Sequence, residues 1–399
     1  MTTTSTALAP LGRAALDEAA FVELVRVITG HPGAEPLATR VDPVPYPIGT
    51  PTTAELLRVR GTALLPGGER RHWSCFVKRL QSAKWWDGLH LVPAPLRDDF
   101  IANIPWRVEI AVQRSNLASL LPQGLRLATS YRIDEYDDER ATLWMENVEP
   151  TPGPWGLERF ERSAYLLGRL SARRQAHLVE PLLPRQGITT PGMSLRYYVD
   201  GRVLRGTIPV LADDATWQHP VLKEAVEACG ESTLRGEFLG LAERLPAAMD
   251  GLDRLPQCYQ HGDASPQNLL VPADSPEEFV AIDWGFDSPQ AVGFDLGQLL
   301  VGLAHAGELA PEALPAVHRV IVPAFCEGLE DEGLAVSRSD VEYGYLGSLL
   351  ARATFTALPL ECLAAPESPA LVDYFTYRVR LARALVDLTS QVDLTSRVR

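Results

Sequence analysis

The feature of this sequence that most constrains its fold is a change in hydrophobic periodicity near residue 150. Before that position, apolar and polar residues alternate within short segments such as LLRVRGTALL (56–65) and HWSCFVKRL (72–80), which predicts half-buried strands. After it, apolar residues recur every three or four positions from Leu157 to Leu167, which predicts amphipathic helices. Strands followed by helices predict an α+β fold with a strand-rich part and a helical part.

Local patterns give more detailed expectations. The turn PGGERR joins the two alternating segments and predicts an antiparallel hairpin. Pro105 and the apolar spacing that follows predict a helix over residues 105–120, whereas the Pro, Gly and Thr content of residues 31–53 predicts a connector and loop. Further strands are expected at 129–136 and 141–146, and further helices at 14–29 (ending at Gly30), 220–250, 312–329, 339–356 (with Ser339 and Glu342 as a capping box) and 371–387.

Charge and composition exclude several classes of protein. The net charge of −14 argues against binding nucleic acid through its phosphates. The sequence has neither a secretory signal pattern nor an apolar run close to the ~20 residues that span a bilayer, so no membrane association is expected. The five cysteines are scattered without a C-x-x-C pair, which is typical of reduced thiols and predicts neither disulfides nor a structural zinc site. A cytoplasmic protein, monomeric or homodimeric, is expected.

The segment HGDASPQNLL (261–270) is the strongest candidate for chemistry. Asn268 opens one short apolar run and Asp283 closes the next, so an antiparallel hairpin places these two residues side by side, with Asp263 just before them. One amide and one carboxylate oxygen suit Mg²⁺, which takes one or two protein ligands besides phosphates and water. Asp263 is then the group that accepts a proton from an attacking hydroxyl, as phosphoryl transfer requires.

Phosphate transfer also needs a cation, and the strand-rich part supplies one. The chain has three lysines against 34 arginines, and Lys78 lies near the end of an alternating strand, on the face of Ser74 and Phe76. Lysine acts as a point charge on phosphates. Glu109, near the start of the helix expected at 105–120, is the carboxylate that would hold Lys78. The segment PIGTPTTAELL, with Gly49 and Thr50, is expected to cover the phosphates just before the first strand.

With these residues the chain resembles the aminoglycoside phosphotransferase family, a branch of the protein-kinase-like fold that includes choline, sugar and antibiotic kinases. The resemblance covers roughly residues 45–390 and is carried by HGDASPQN, by IDWG fifteen residues after Asn268, and by GFDLGQLL. The order of strands, lysine, helix glutamate, linker, helices, HGD loop and terminal helices also agrees. The phosphate loop departs from protein kinases because Gly49 is its single glycine.

The resemblance implies a bilobal protein-kinase-like fold and an ATP-dependent transfer of phosphate to a hydroxyl of a small molecule, with Mg²⁺ as metal and GTP as the alternative donor. It implies an N-terminal helix and connector (1–44), a nucleotide-binding lobe (45–149) and a helical lobe with the catalytic loop and substrate site (150–399). The implied roles are Asp263 as catalytic base, Asn268 and Asp283 as metal ligands, Lys78 on the nucleotide phosphates with Glu109 as its partner, and the hinge WMENV with Met145, Glu146, Asn147 and Val148 holding the adenine through its backbone.

Other residues have simpler interpretations. His261 is expected to be a buried support of the loop rather than a proton carrier. Asp295 has the pattern of a helix N-cap, which is compatible with bracing the catalytic loop, and Asp287 is expected at the surface. Residues 181–216 form a long, irregular segment, typical of a functional insert facing the acceptor.

Two alternatives to the kinase hypothesis stay open. A metal-dependent hydrolase would use His261 and Asp263 as ligands, but the other seven histidines form no paired motif. A nucleotide-binding module without catalysis would keep the fold and lose turnover. The acceptor is not specified by the sequence, and sugars, amino alcohols, and nucleoside, macrolide or aminoglycoside antibiotics all remain candidates.

Overall fold

The structure is a computed structural model that describes residues 8–182 and 190–391. The chain divides into two compact units. The strand unit consists of Met1–Leu117, Leu127–Thr151 and Pro272–Asp274, and the helical unit of Ala118–Arg126, Pro152–Val271 and Ser275–Arg399.

The strand unit contains a five-stranded antiparallel sheet built from β1 (Glu35–Pro43), β2 (Thr53–Leu64), β3 (Arg70–Gln81), β5 (Ser130–Tyr136) and β6 (Arg140–Glu146). The strands lie side by side in the order β1-β2-β3-β6-β5. The hairpin of β2 and β3 confirms the alternation patterns, and β5 and β6 confirm the further strands expected at 129–136 and 141–146.

The expectation of a connector and loop over residues 31–53 is wrong for its central part, because β1 pairs with β2 from Glu35 to Pro43. The prolines that suggested a loop are tolerated because β1 is an edge strand, where one side of the backbone needs no partner. The pairing register between β1 and β2 shifts between Pro36 and Ala38, next to the proline whose backbone nitrogen has no hydrogen to donate.

One face of this sheet is covered by the helix Glu18–Thr29, whose C-cap Gly30 has a φ of 68°, as the sequence predicts. Trp73, Cys75 and Val77 alternate with more exposed neighbours along β3 and enter the core beneath this helix. Phe21 of the helix meets Trp73 edge-on, with ring centroids 5.9 Å apart.

The helix expected over residues 105–120 is shorter and interrupted. The structure has Val108–Arg114 followed by a single turn, Leu117–Leu120. Ser115 breaks the helix because its hydroxyl donates to the Val112 carbonyl (2.7 Å) and accepts from the Leu117 amide (3.1 Å). A further helix, Arg97–Asn103, precedes it.

The helical unit is built from long helices and two small sheets. β7 (Gln257–Gln260) pairs with β10 (Ser288–Ala291), and β4 (Leu125–Leu127), β9 (Phe279–Ala281) and β8 (Leu269–Leu270) form a three-stranded sheet in the order β4-β9-β8. The principal helices are Leu157–Arg173, Pro220–Cys229, Leu234–Asp253, Asp295–His305, Leu314–Asp331, Arg338–Leu349 and Pro369–Ser390.

Three expectations in this unit are corrected. The helix predicted over 220–250 is two helices, because Gly230 is left-handed at a φ of 72°. The capping box at Ser339 is wrong: Ser337 is the N-cap and accepts from the Asp340 amide, while Glu342 pairs with Arg338 at 2.9 Å. The described part of the 181–216 segment is mostly helical, with helices at 193–198, 199–207, 208–212 and 214–218, whereas residues 183–189 lie outside the described residues.

The observed order of elements confirms the predicted α+β class, with a strand-rich part followed by a helical part. It also follows the order that the family resemblance implies, from the strand carrying Lys78 to the terminal helices. Within the described residues, no helix combines the length and hydropathy needed to cross a membrane.

Candidate active site

The loop that follows β7 is anchored through His261, which is fully buried. Its Nδ1 accepts a hydrogen bond from the Asp263 amide (3.2 Å), so Nε2 carries the proton and donates to the Ile282 carbonyl (2.9 Å). The ring also packs on Trp284, with centroids 4.4 Å apart. Both ring nitrogens are thus engaged with backbone, which is the geometry of a support rather than of a proton carrier.

Asp295 braces the same loop from the helix Asp295–His305. Its two carboxylate oxygens accept the backbone amides of His261 (2.8 Å) and Gly262 (2.9 Å). Burial raises the pKa of this carboxyl, while the hydrogen bonds from the two amides act to lower it. The expected N-cap role is wrong because Phe294 occupies the cap position and Asp295 is the first helical residue.

Gly262 is required by the path of the chain. Its φ is +84°, which side chains rarely adopt, and a Cβ at this position would lie 2.2 Å from the Phe286 carbonyl oxygen. The close approach of these two segments brings the loop against the residues that follow Asp283.

Asn268 and Asp283 occupy adjacent ends of the β8–β9 hairpin. Leu269 faces Ala281, and the Ile282 amide donates to the Asn268 carbonyl (3.0 Å), so Asp283 is one residue beyond the partner of Asn268. Asp283 has a φ of 59°, and Glu139 is the only other non-glycine residue with positive φ among residues 8–182 and 190–391. A left-handed aspartate in this setting is a backbone feature that clusters at functional sites.

The donor set at this hairpin fits a hard divalent cation. The Asn268 amide nitrogen donates to the Asp263 carbonyl (2.9 Å) and to Asp263 Oδ2 (3.1 Å), so the amide oxygen is the atom left to bind a metal. With the Asp283 carboxylate it supplies the oxygen ligands that Mg²⁺ prefers. In the described part of the chain, no group of three or more His, Cys, Asp or Glu side chains is placed to hold a metal ion.

Arg352 is a site residue that the sequence did not point to. One guanidinium nitrogen donates to the Gly262 carbonyl, and another lies 3.3 Å from Asp263 Oδ1. Arg352 belongs to a π-helical turn, Leu350–Thr354, that follows a long helix. It is 89 residues from Asp263 in the sequence. No local motif surrounds Arg352, so sequence spacing alone could not have found it.

Gln298 completes this cluster. When its amide is oriented by its neighbours, Nε2 lies 3.2 Å from Asp263 Oδ1 and the amide oxygen accepts from Arg352 Nε at 3.2 Å. Gln298 lies three residues after Asp295, on the same side of one helix. That spacing within GFDLGQLL is the pattern from which this residue could have been predicted.

Asp287, expected at the surface, is instead buried in an ion pair. Arg174 contacts it with two nitrogens, at 2.6 and 3.2 Å, and both side chains are 1% exposed. The guanidinium also lies over the rings of Tyr259 and Trp284. The expectation failed because Arg174 is 113 residues away in the sequence.

The strand unit holds the predicted cation. Lys78 lies on β3 between Leu56 of β2 and Leu143 of β6, and its Nζ is 2.6 Å from Glu109 Oε2. The side chains are 8% and 4% exposed, so this is an almost buried pair. Glu109 is in the first turn of the helix Val108–Arg114, as expected.

The remaining predicted nucleotide residues also lie in the strand unit. Gly49 and Thr50 are in the loop that joins β1 to β2, and the Thr50 and Thr52 hydroxyls are 3.0 Å apart. The loop therefore lies between two strands rather than before the first one.

The predicted hinge residues lie at the end of β6: Met145 and Glu146 are its last two residues, and Asn147 and Val148 follow it. Met145 is buried in a small apolar cluster, and Glu146 accepts the Thr129 amide at 3.1 Å. The Asn147 side chain accepts from Arg58 (2.8 Å) and donates to Ser74 (3.2 Å). The adenine-binding role of residues 145–148 stays a prediction.

Residues 130–320 match the model of the phosphotransferase enzyme family. The match confirms the resemblance to the aminoglycoside phosphotransferase family. Asp263, Asn268 and Asp283 lie within the matched residues, whereas Lys78 and Arg352 lie outside them.

Several solved structures of such phosphotransferases and related kinases align with the chain. An aminoglycoside phosphotransferase from Alicyclobacillus acidocaldarius subsp. acidocaldarius DSM 446 is 14% identical over 84% of this chain and 89% of that chain, with a TM-score of 0.45. A spectinomycin phosphotransferase, solved with ADP and spectinomycin, is 13% identical over 94% and 98%, with a TM-score of 0.46. A choline kinase from Cryptosporidium parvum Iowa II is 11% identical over 94% and 99%, with a TM-score of 0.44. No curated protein matches the chain in sequence.

Proposed function

We propose that this protein is an ATP-dependent O-phosphotransferase that moves the γ-phosphate to a hydroxyl of a small molecule. The observation that carries the proposal is the Asp263 carboxylate, which is 25% exposed and held by Asn268 and Arg352 beside the Asp283 hairpin. A positioned carboxylate next to two oxygen ligands for a metal is what phosphoryl transfer to an alcohol needs.

In the proposed reaction Asp263 accepts the proton of the acceptor hydroxyl. The acceptor oxygen forms a bond to the γ-phosphorus, and the bond from that phosphorus to the β–γ bridging oxygen breaks, which releases ADP. Asp263 also orients the hydroxyl, since this class of reaction depends on positioning more than on covalent chemistry.

Asn268 and Asp283 would hold the metal through the Asn268 amide oxygen and the Asp283 carboxylate. Mg²⁺ bound there neutralises charge on the phosphate oxygens. The contact between the Asn268 amide nitrogen and Asp263 links the proposed metal ligand to the proposed base and turns the Asn268 amide oxygen away from Asp263.

The strand unit would bind the nucleotide. Lys78 supplies the charge for the α- and β-phosphates, and Glu109 fixes its ammonium group at 2.6 Å. In the same proposal Gly49 and Thr50 cover the phosphates, and the backbone of residues 145–148 holds the base, with GTP as an alternative donor.

The acceptor class is proposed only as small hydroxylated compounds, which include antibiotics, sugars and amino alcohols. We also propose that the protein works as a monomer or homodimer in the cytoplasm, where ATP is plentiful.

A transfer screen tests this function. Purified protein is incubated with Mg²⁺ and [γ-³²P]ATP or GTP, together with streptomycin, spectinomycin, choline, sugars, nucleosides and macrolides, and labelled products are separated. Acceptor-dependent label that disappears with EDTA supports the proposal. The opposite result is a rise in unfolding temperature on adding nucleotide, with neither transfer to any acceptor nor hydrolysis of the nucleotide. That result would favour a catalytically inactive nucleotide-binding module.

A further inference from the structure

We propose that Arg352 and Gln298 determine which oxygen of Asp263 receives the proton, by occupying Oδ1 and leaving Oδ2 as the basic atom. The inference rests on the proposed function, because it assigns a proton-accepting atom in that reaction. Arg352 is thereby a positioning residue, acting on the acceptor through Asp263.

The two oxygens of the Asp263 carboxylate differ in the number of donors that they accept from. Arg352 Nη2 lies 3.3 Å from Oδ1, and Gln298 Nε2 lies 3.2 Å from the same atom. An ionised carboxylate has about four lone-pair sites, two on each oxygen. Two donors therefore occupy the acceptor capacity of Oδ1.

Oδ2 is in a different position. Oδ2 accepts a hydrogen bond from the Asn268 amide nitrogen at 3.1 Å, which uses one of its two lone-pair sites. Asp263 keeps 25% of its side chain exposed, so the carboxylate is open to an incoming hydroxyl, and Oδ2 is its oxygen with fewer donors. The proton of the acceptor then passes to Oδ2, the atom that also contacts the metal ligand Asn268.

Arg352 is itself held in place, which a positioning role requires. Its Nη1 donates to the Gly262 carbonyl, and its Nε donates to the Gln298 amide oxygen at 3.2 Å. The guanidinium carbon lies 5.7 Å from the ring centroids of both Phe286 and Phe294. Nε, Nη1 and Nη2 of Arg352 each contact a different partner, so the planar guanidinium cannot rotate without losing contacts.

A merely structural role for Arg352 predicts a different result. Loss of a brace lowers stability and the amount of folded enzyme, but the enzyme that stays folded keeps its kcat. Loss of a positioning group lowers kcat in fully folded protein, while the KM values for nucleotide and acceptor change little, because the base contacts the acceptor mainly in the transition state.

The test compares kcat and KM of wild type, Arg352→Ala, Arg352→Lys and Gln298→Leu, with Mg²⁺–ATP and the acceptor that gives the highest turnover in the screen, or water if ATP hydrolysis alone is seen. We expect kcat of Arg352→Ala to fall on the order of 10- to 100-fold, as for loss of a charged hydrogen bond, and that of Gln298→Leu about 3- to 10-fold. Arg352→Lys, and guanidinium ion added to Arg352→Ala below denaturing concentrations, should restore part of the rate.

Arg380→Ala is the matched control, because Arg380 pairs with Glu312 at 3.2 Å on the exposed side of the last long helix. Its kcat should equal that of wild type. An unchanged kcat in folded Arg352→Ala would overturn the inference while leaving the proposed function intact. If Arg352→Ala does not fold, Arg352→Lys and Gln298→Leu decide in the same way.

If wild type transfers no phosphate at all, the proposed function fails and the assignment of the proton-accepting oxygen fails with it. A crystal structure of Arg352→Ala then tests the remaining part, that Arg352 holds the Asp263 carboxylate in its orientation. A rotated Asp263 carboxylate supports positioning by Arg352. A carboxylate that stays in place, with Oδ1 and Oδ2 unchanged, contradicts it.

Discussion

Two Arg–Asp pairs in the helical unit differ in a way that separates structure from function. The Arg174–Asp287 pair is bidentate, with both side chains 1% exposed. In the Arg352–Asp263 pair the side chains are 20% and 25% exposed and a single contact of 3.3 Å joins them. The first carboxylate is satisfied by one partner and closed to solvent. The second is shared among several donors and stays open, which is the state a general base needs.

Breaking the buried Arg174–Asp287 pair should lower the free energy of unfolding more than any other change considered. Asp287→Ala leaves the Arg174 guanidinium buried without its carboxylate, and we expect a loss of about 3–5 kcal/mol in the free energy of unfolding. Urea unfolding followed by circular dichroism measures it.

The double variant Arg174→Met/Asp287→Ala removes both charges and should recover part of that loss. Asp373→Ala, at an exposed position on the last helix, is the matched control and should be close to neutral. A loss below about 0.5 kcal/mol for Asp287→Ala, the range of ordinary surface changes, would show that the pair is not the structural element described.

The Lys78–Glu109 pair extends the comparison to the strand unit, because it is nearly buried and yet proposed to be functional. Lys78→Met removes the phosphate contact but keeps an apolar stem, so we expect nucleotide to bind about 10- to 100-fold more weakly, as for loss of a charged hydrogen bond. Isothermal titration with ADP and Mg²⁺ measures the affinity.

Lys84→Met is its control, since Lys84 pairs with Glu139 at 36% exposure. Equal ADP affinities for the Lys78→Met and Lys84→Met proteins would remove Lys78 from the nucleotide site and make its pair with Glu109 purely structural.

His305 provides a smaller, pH-dependent test near the Arg352 cluster. Burial, with the charges of Arg378 and Arg352, lowers the pKa of His305 from 6.5 to about 3. The unfolded chain then binds a proton more readily than the folded one, so stability falls as the pH drops below about 6.5 toward 3. Between pH 7.5 and 5 this contributes a loss of about 1–2 kcal/mol, which His305→Asn should remove.

Urea unfolding at the two pH values measures this change, with the exposed His177→Asn as control. If His305→Asn and wild type lose stability in parallel, the histidine does not account for the acid sensitivity.

Sequence reasoning succeeded where local spacing decides which residues lie together. Asp263, Asn268 and Asp283 could be grouped because a short hairpin brings its outer ends together, and the β8–β9 register does so. Alternation along β3 likewise predicted the faces on which Trp73 and Lys78 lie.

The same reasoning missed contacts made by residues distant in sequence. Arg352 and Arg174 reach their aspartates across 89 and 113 residues, and no periodicity records such a contact. Turn-forming residues also led to a wrong prediction of a loop where strand pairing outweighs local preference, because Pro36 and Pro43 belong to an edge strand.

The most direct test of the account is the activity of Asp263→Asn, which keeps the shape of the side chain and removes its basicity. We predict a fall in kcat on the order of 10²- to 10⁴-fold, the usual contribution of general base catalysis. Its affinity for ADP and Mg²⁺ should stay within about threefold of wild type, because the lost interaction belongs to the transition state. Phosphate transfer by the folded Asp263→Asn protein at the wild-type rate would contradict the assignment of Asp263 as the base.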